Sequence, residues 1–184
     1  MTIIKIHGCS GAGKTTAVRQ LMKACSTIDT IRNEKGKIEA YQIFHQSVQK
    51  PIIVLGSYEN NCGGMDTVGS AQQVINLLNK YGVNNHLVFE GLLQSTYYGA
   101  LGTHSLPWGQ DYIYAFLDTP IERCLAQVEK RREEQGSTNK FNPQLTRDKH
   151  TTILRLQKRV VMMGHRTVSL DHQGDLPAQI LGLL

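Results

Sequence analysis

Apolar residues in this chain fall into short runs, and two periods alternate along it. Apolar, β-branched or aromatic runs at 3–6, 38–44, 51–58, 87–89, 112–117 and 167–170 read as buried strands bounded by turn residues. Between them, apolar residues recur every three to four positions. Segment 15–23 does so through Val18, Leu21 and Met22, and 68–81 through Val74, Leu77 and Leu78. Pro120 opens a third helix reaching about 134, as proline does in a first turn. A fourth covers 148–163, entered through Thr146 or Arg147, and a fifth covers 177–183. Segment 92–101 reads as helical or irregular. Segment 60–66, with Gly63-Gly64, and polar segment 135–143, with Gly136 and Pro143, read as loops, the second one mobile. Runs 38–44 and 51–58 are close in sequence and form either a hairpin-like excursion or successive sheet strands. Strand–helix alternation predicts one three-layer α/β/α domain around a parallel sheet. A candidate lid lies at about 131–147.

In such a sheet, ligands bind beyond the carboxyl ends of the strands. Polar residues or glycines sit there: Gly8, Glu59, Glu90-Gly91 and Asp118-Thr119. Residues 8–15 read Gly-Cys-Ser-Gly-Ala-Gly-Lys-Thr, a G-x-x-x-x-G-K-[ST] phosphate-binding loop in its strand–loop–helix context. Backbone N–H groups of Gly8, Ser10, Gly11, Ala12 and Gly13, with Thr16 at the helix start, are placed to wrap phosphate. Lys14 can reach the β- and γ-phosphates of ATP, and the Thr15 hydroxyl can ligate Mg²⁺.

Phosphoryl transfer also needs a carboxylate to orient or deprotonate an attacking hydroxyl. Asp66 follows the flexible glycine pair and is the preferred base; the alternative is a helix cap. Glu90 ends a buried strand, where it can complete the metal shell. Glu59 is a weaker third acid. Arg123, Arg131 and Arg132 lie on the helix before the polar loop. One of them can stabilise the transferring phosphate, or they can simply offset the helix dipole. Tyr58, Tyr97, Tyr98 and Trp108 are candidate stacking partners for a nucleobase, as aromatic rings are for unstacked bases. Each is also an ordinary packing residue.

Net charge is +5, and the surplus is uneven: residues 119–166 carry eleven Lys/Arg against five Asp/Glu. Arg155, Lys158 and Arg159 share one helix face that can follow a phosphodiester backbone or stay solvated. Cys9, Cys25, Cys62 and Cys124 form no C-x-x-C pair and read as free thiols. The seven histidines form no zinc-type cluster. No apolar run approaches ~18 residues, and the first strand leaves no room for a signal peptide. The expectation is a cytosolic protein with no membrane segment and no obligate protein partner.

Five stretches occur in a telling order: 8–16, Gly-Ser-Tyr at 56–58, Cys-Gly-Gly-Met-Asp-Thr at 62–67, Val-Phe-Glu-Gly-Leu at 88–92, and Phe-Leu-Asp-Thr-Pro from 116 with Glu122 and Cys124. Together they resemble the bacteriophage P-loop kinases that phosphorylate 5-hydroxymethyluracil in DNA, a step in thymidine hypermodification. The likeness covers about residues 3–170. The loop around Gly63, Gly64 and Asp66 after Tyr58 is its discriminating element. The resemblance implies a P-loop NTPase fold of the nucleoside- and nucleotide-kinase type. It carries Lys14 and Thr15 over to ATP and Mg²⁺, and Asp66 to the acceptor side. It implies DNA as partner and the infected host cell as the place of action. Two rival readings remain: a kinase of a free nucleoside, nucleotide or other small alcohol, and a P-loop ATPase or binding module without an acceptor.

Overall fold

The apolar runs become strands of one sheet, joined by a strand that no apolar run marked. In chain order they are β1 (Ile3–His7), β2 (Thr27–Arg32), β3 (Ile38–Phe44), β4 (Ile52–Leu55), β5 (His86–Glu90), β6 (Tyr112–Leu117) and β7 (Arg166–Leu170). A computed structural model of the chain describes residues 1–60, 64–68, 70–91, 102, 104–137 and 141–184. Segment 92–101 with Tyr97 and Tyr98, Cys62, Gly63 and part of the predicted 135–143 loop (138–140) lie outside the described residues. The sheet order is β2-β3-β4-β5-β1-β6-β7.

β4, β5, β1, β6 and β7 run parallel. β3 is antiparallel to both its neighbours, so the sheet is mostly rather than wholly parallel, a correction to the sequence expectation. Residues 45–51 are too few for the crossover that parallel neighbours require, so the hairpin alternative is the one the chain takes. β2 escaped the sequence reading. Its Thr-Ile-Asp-Thr-Ile-Arg has only two apolar residues, three positions apart, and only Ile31 among residues 28–32 is even partly buried.

Among the described residues, helices flanking the sheet include α1 (Lys14–Ala24), α2 (Ala71–Gly82), α3 (Ile121–Glu134), α4 (Pro143–Met162) and α5 (Leu176–Leu181). α1 and α5 cover one face through Val18, Leu21 and Ile180, packed on Ile4, Ile6, Val88 and Ile113. α2 and α4 cover the other through Val74, Leu78, Ile153 and Leu156, packed on Ile3, Phe89, Tyr112 and Tyr114. β1 is therefore buried on both sides, which is why it reads as a nearly continuous apolar run. Two polar residues interrupt it. The Lys5 ammonium lies 6.0 Å from the Phe89 ring centroid, and burial lowers its pKa to about 7. His7 stacks on Tyr114 and Phe116. Burial, then the charges of Lys5 and Lys14, hold it well below its ordinary value.

Helix starts moved where caps outweighed periodicity. α4 begins at Pro143, not 148, because Asn142 accepts from the Gln144 N–H at 3.0 Å and proline fits the first turn. The predicted loop thus ends in helix at Pro143, and the 131–147 segment is helical at both ends. α2 begins at Ala71, capped by the Ser70 hydroxyl, which accepts from Gln73 N–H at 3.3 Å. Trp108 sits in a 3-10 turn (Leu106–Asp111), with its ring 3.5 Å from the Cβ position of Gly82. That turn leads into β6, so Trp108 is at the amino edge of the sheet, away from the ligand edge expected for it. Among the described residues, no helix is long and apolar enough to cross a membrane.

Candidate active site

The carboxyl ends of β1, β5, β6 and β7 converge on an open cavity of about 630 Å³. Its floor is the loop between β1 and α1. The Ala12 N–H donates to the Cys9 carbonyl at 3.2 Å, closing the turn, and Ala17 N–H donates to Gly13 at 2.8 Å, starting the helix. No side chain caps α1, and its first turn holds no acid. Its first N–H groups therefore face the cavity ready for an anion. Gly11 is needed for close approach: at φ +80°, its missing Cβ would lie 2.2 Å from the Cys124 carbonyl of α3. Lys14 is buried, with its ammonium donating to the Cys9 carbonyl at 3.3 Å.

Glu90 closes the acidic side. It ends β5, is almost fully buried, and accepts the Thr15 hydroxyl at 2.8 Å. Burial raises its pKa above the usual carboxylate range; Lys14 and the Thr15 hydrogen bond oppose this, and Asp66 adds to it. Asp66 is half-buried in a short 3-10 turn (Met65–Thr67) and lines the same cavity. The capping role weighed against it belongs to Ser70. Thr15 and Glu90 form a hard oxygen donor pair of the kind Mg²⁺ takes.

In the loop after β4, which the resemblance assigns to the acceptor side, the described residue Gly64 rests on Glu90. Gly64 N–H donates to the Ser57 carbonyl at 2.8 Å. A Cβ on Gly64, at φ +80°, would lie 2.5 Å from the Glu90 carboxylate. Gly64 is thus explained by contact with Glu90. Tyr58, expected at the substrate, is 6% exposed, lies against Tyr41 and does not line the cavity. Burial, then the nearby charge of Glu90, raises its hydroxyl pKa well above the ordinary value.

On α3, Arg123, Gln127 and Arg131 are four residues apart and line the cavity together. Arg132, one residue further on, does not. Ser10, Gly11, Ala12, Gly13, Thr15 and Thr16 all line it; Gly8 lies behind the loop, in a second cavity of about 300 Å³.

Several lining or rim residues were not singled out from sequence. Arg19 of α1 donates to the Tyr58 carbonyl at 2.8 and 3.2 Å and also to the Asn60 carbonyl, tying the start of the loop after β4 to α1. His172, Gln173 and Gly174 follow β7 and line the far wall. The His172 backbone N–H and its ring Nδ1 each lie 2.8 Å from Asp118 Oδ1, fixing that turn to the end of β6. Lys149 of α4 reaches the Ser10 hydroxyl at 3.5 Å. A signal existed for the β7 turn, because Asp171-His172-Gln173-Gly174 is a polar, glycine-containing strand end. Nothing local marked Arg19 or Lys149.

No protein-family model matches the chain. Two phage proteins are similar to it over nearly its whole length. The 5-hmdU DNA kinase of Pseudomonas phage PaMx11 is 29% identical over 179 residues, covering 96% of this chain and 94% of that protein. The 5-hmdU DNA kinase of Pseudomonas phage M6 is 30% identical over 174 residues, covering 89% and 88%.

Proposed function

The chain belongs to the phage 5-hmdU DNA kinases, and on that premise we propose that it transfers the γ-phosphate of ATP to the hydroxymethyl oxygen of 5-hydroxymethyluracil in DNA. The observation that carries this reading is the single cavity shared by the uncapped α1 terminus, Lys14, the Thr15–Glu90 pair, Asp66 and the α3 arginines. A fold of the P-loop NTPase kind accounts for that convergence, and the site of action is the infected cell.

Each residue has a definite task in this reaction. The N–H groups of residues 10–16 hold the β-phosphate, and Lys14 moves from its Cys9 carbonyl to the transferring group. The nucleobase of ATP lies toward His172 and Gln173. Thr15 and Glu90 would hold Mg²⁺, which would supply neutralisation of the charge on the transferring phosphate. Asp66 accepts the hydroxymethyl proton as that oxygen bonds to the γ-phosphorus. The bond from the γ-phosphorus to the bridging oxygen breaks, and ADP leaves. Arg123 and Arg131 stabilise the charge spread over the equatorial oxygens. Residues 131–147 act as a lid that excludes water from the transferring phosphate. The target base must leave the duplex stack to reach the cavity, at a cost of a few kcal/mol.

The test is transfer from γ-labelled ATP to three acceptors: hydroxymethyluracil DNA, the same DNA with thymine, and the free nucleoside. Label in the first alone supports the reading. Label in the free nucleoside alone makes this a small-acceptor kinase.

A further inference from the structure

The β2–β3 hairpin is hard to explain as core. Among residues 28–32 only Ile31 is partly buried, so β2 adds little packing to the sheet. Its direction gives the reason for its presence. β2 is antiparallel to β3 and β3 to β4, so β2 points the same way as β4 and β5. The hairpin tip, residues 33–37, therefore emerges at the same edge as Glu90 and the phosphate-side loop. It also overshoots β4: Ala40 is level with Leu55, and Glu39 accepts the Gly56 N–H at 2.9 Å. Ile38 and the tip before it thus extend past the last residue of β4.

The tip is held by hydrogen bonds and is net basic, with Arg32, Lys35 and Lys37 against one exposed acid, Glu34. The Asn33 side chain accepts from the N–H groups of Lys35 and Lys37 at 3.0 and 3.1 Å, and Arg32 donates to the Gly36 carbonyl at 2.9 Å. Arg32, Lys35 and Lys37 are exposed. Neither lysine is in an ion pair among the described residues. Glu39, the acid at the hairpin base, is already paired with Lys80 at 2.6 Å and bonded to Tyr81. A tip with spare cations held in a fixed turn fits a polyanion of regular charge spacing.

We propose that this tip grips the phosphodiester backbone of the DNA that flanks the target base. The proposal rests on the kinase reading above. ATP fills the wall made by α3 and the turn after β7, so the acceptor enters from the β4–β5 side. DNA attached to that acceptor runs outward over β3 and β2. α4 packs on α3 and β7 and buries Ile153, Leu156 and Val160, leaving Arg155, Lys158 and Arg159 exposed as the rival basic face.

The test uses the full chain carrying Lys35→Gln and Lys37→Gln, with a fluorescein-labelled duplex holding one hydroxymethyluracil. Binding is read by anisotropy across a salt series, with transfer kinetics alongside. The slope of log affinity against log salt falls by about 2, since each lost phosphate contact contributes about 0.9. KM for DNA rises about tenfold, while kcat and ATP affinity hold. The paired Lys35→Arg and Lys37→Arg variant keeps the wild-type slope, which separates lost charge from lost fold. An unchanged slope and KM overturn the proposal, as does a slope loss that follows Arg155→Gln with Lys158→Gln instead. A wild-type protein that binds this DNA but never labels it refutes the kinase reading. Normal labelling with an unchanged slope refutes only the hairpin.

Discussion

The two halves of the cavity are built in different ways. In the proposed reaction the phosphate cradle of the nucleotide half is local: one stretch from Gly8 to Thr16 supplies the turn, the open helix terminus, the lysine and the hydroxyl. Glu90, the α3 arginines and the turn after β7 complete that half. The acceptor half is assembled from distant parts. Gly64 rests on Glu90, Arg19 reaches across to Tyr58 and Asn60, and the β2–β3 hairpin stands at the outer edge. Tight local geometry suits a ligand part common to all nucleotides. A loop held by long-range contacts can be reshaped for a particular acceptor without disturbing the phosphate side.

The sharpest way to separate the halves is to remove one charge from each. Lys14→Ala is expected to cut transfer by ~10³–10⁵-fold and to weaken ATP binding, because that charge serves the moving phosphate. A folded Lys14→Ala protein with normal turnover would break the nucleotide half of the account. Asp66→Asn is expected to cost ~10²–10⁴-fold in kcat with ATP affinity nearly unchanged. Titration of ATP by calorimetry decides this. Loss of ATP affinity would move Asp66 to the metal side.

Gly64→Ala tests how the halves touch. The added Cβ strikes the Glu90 carboxylate in a backbone conformation that alanine resists, at a cost of ~1–3 kcal/mol. Thermal unfolding should show the loss, and transfer should fall more than ATP binding does. An unchanged melting temperature would mean that this loop does not rest on Glu90.

The smallest effect concerns pH. Burial raises the Glu90 pKa, so the folded protein holds this proton more tightly than the unfolded chain does. Below the unfolded value there is no penalty. As pH rises through the raised folded value, ionising the buried carboxyl costs stability. Glu90→Gln should therefore melt higher than wild type at neutral pH, with the difference vanishing in acid. The wild-type transfer rate should fall on acidification at a pH above the ordinary carboxylate range. A Glu90→Gln protein that melts lower at neutral pH would contradict the assignment.

Legibility in the sequence follows the same division. The phosphate-side loop, Glu90 at its strand end, and most strands and helices follow from contiguous pattern. The start of α4 was hidden because Asn142-Pro143 reads equally well as a turn. β2 was hidden because an edge strand needs no apolar face. Tyr58 looked like a stacking residue, yet its neighbour Tyr41 is on another strand, and only the fold brings the two rings together. Arg19 and the β7 turn take their meaning from partners 39 and 54 residues away.

The central claim is that one cavity joins an ATP half to a DNA-base half. It is tested most directly by following ³²P from γ-labelled ATP into a duplex with a single hydroxymethyluracil, then digesting to nucleosides and locating the label. The account predicts label on the hydroxymethyl oxygen of that base alone, with one ADP formed per label. ADP released at the same rate without DNA, or label found equally in the thymine duplex, would contradict it.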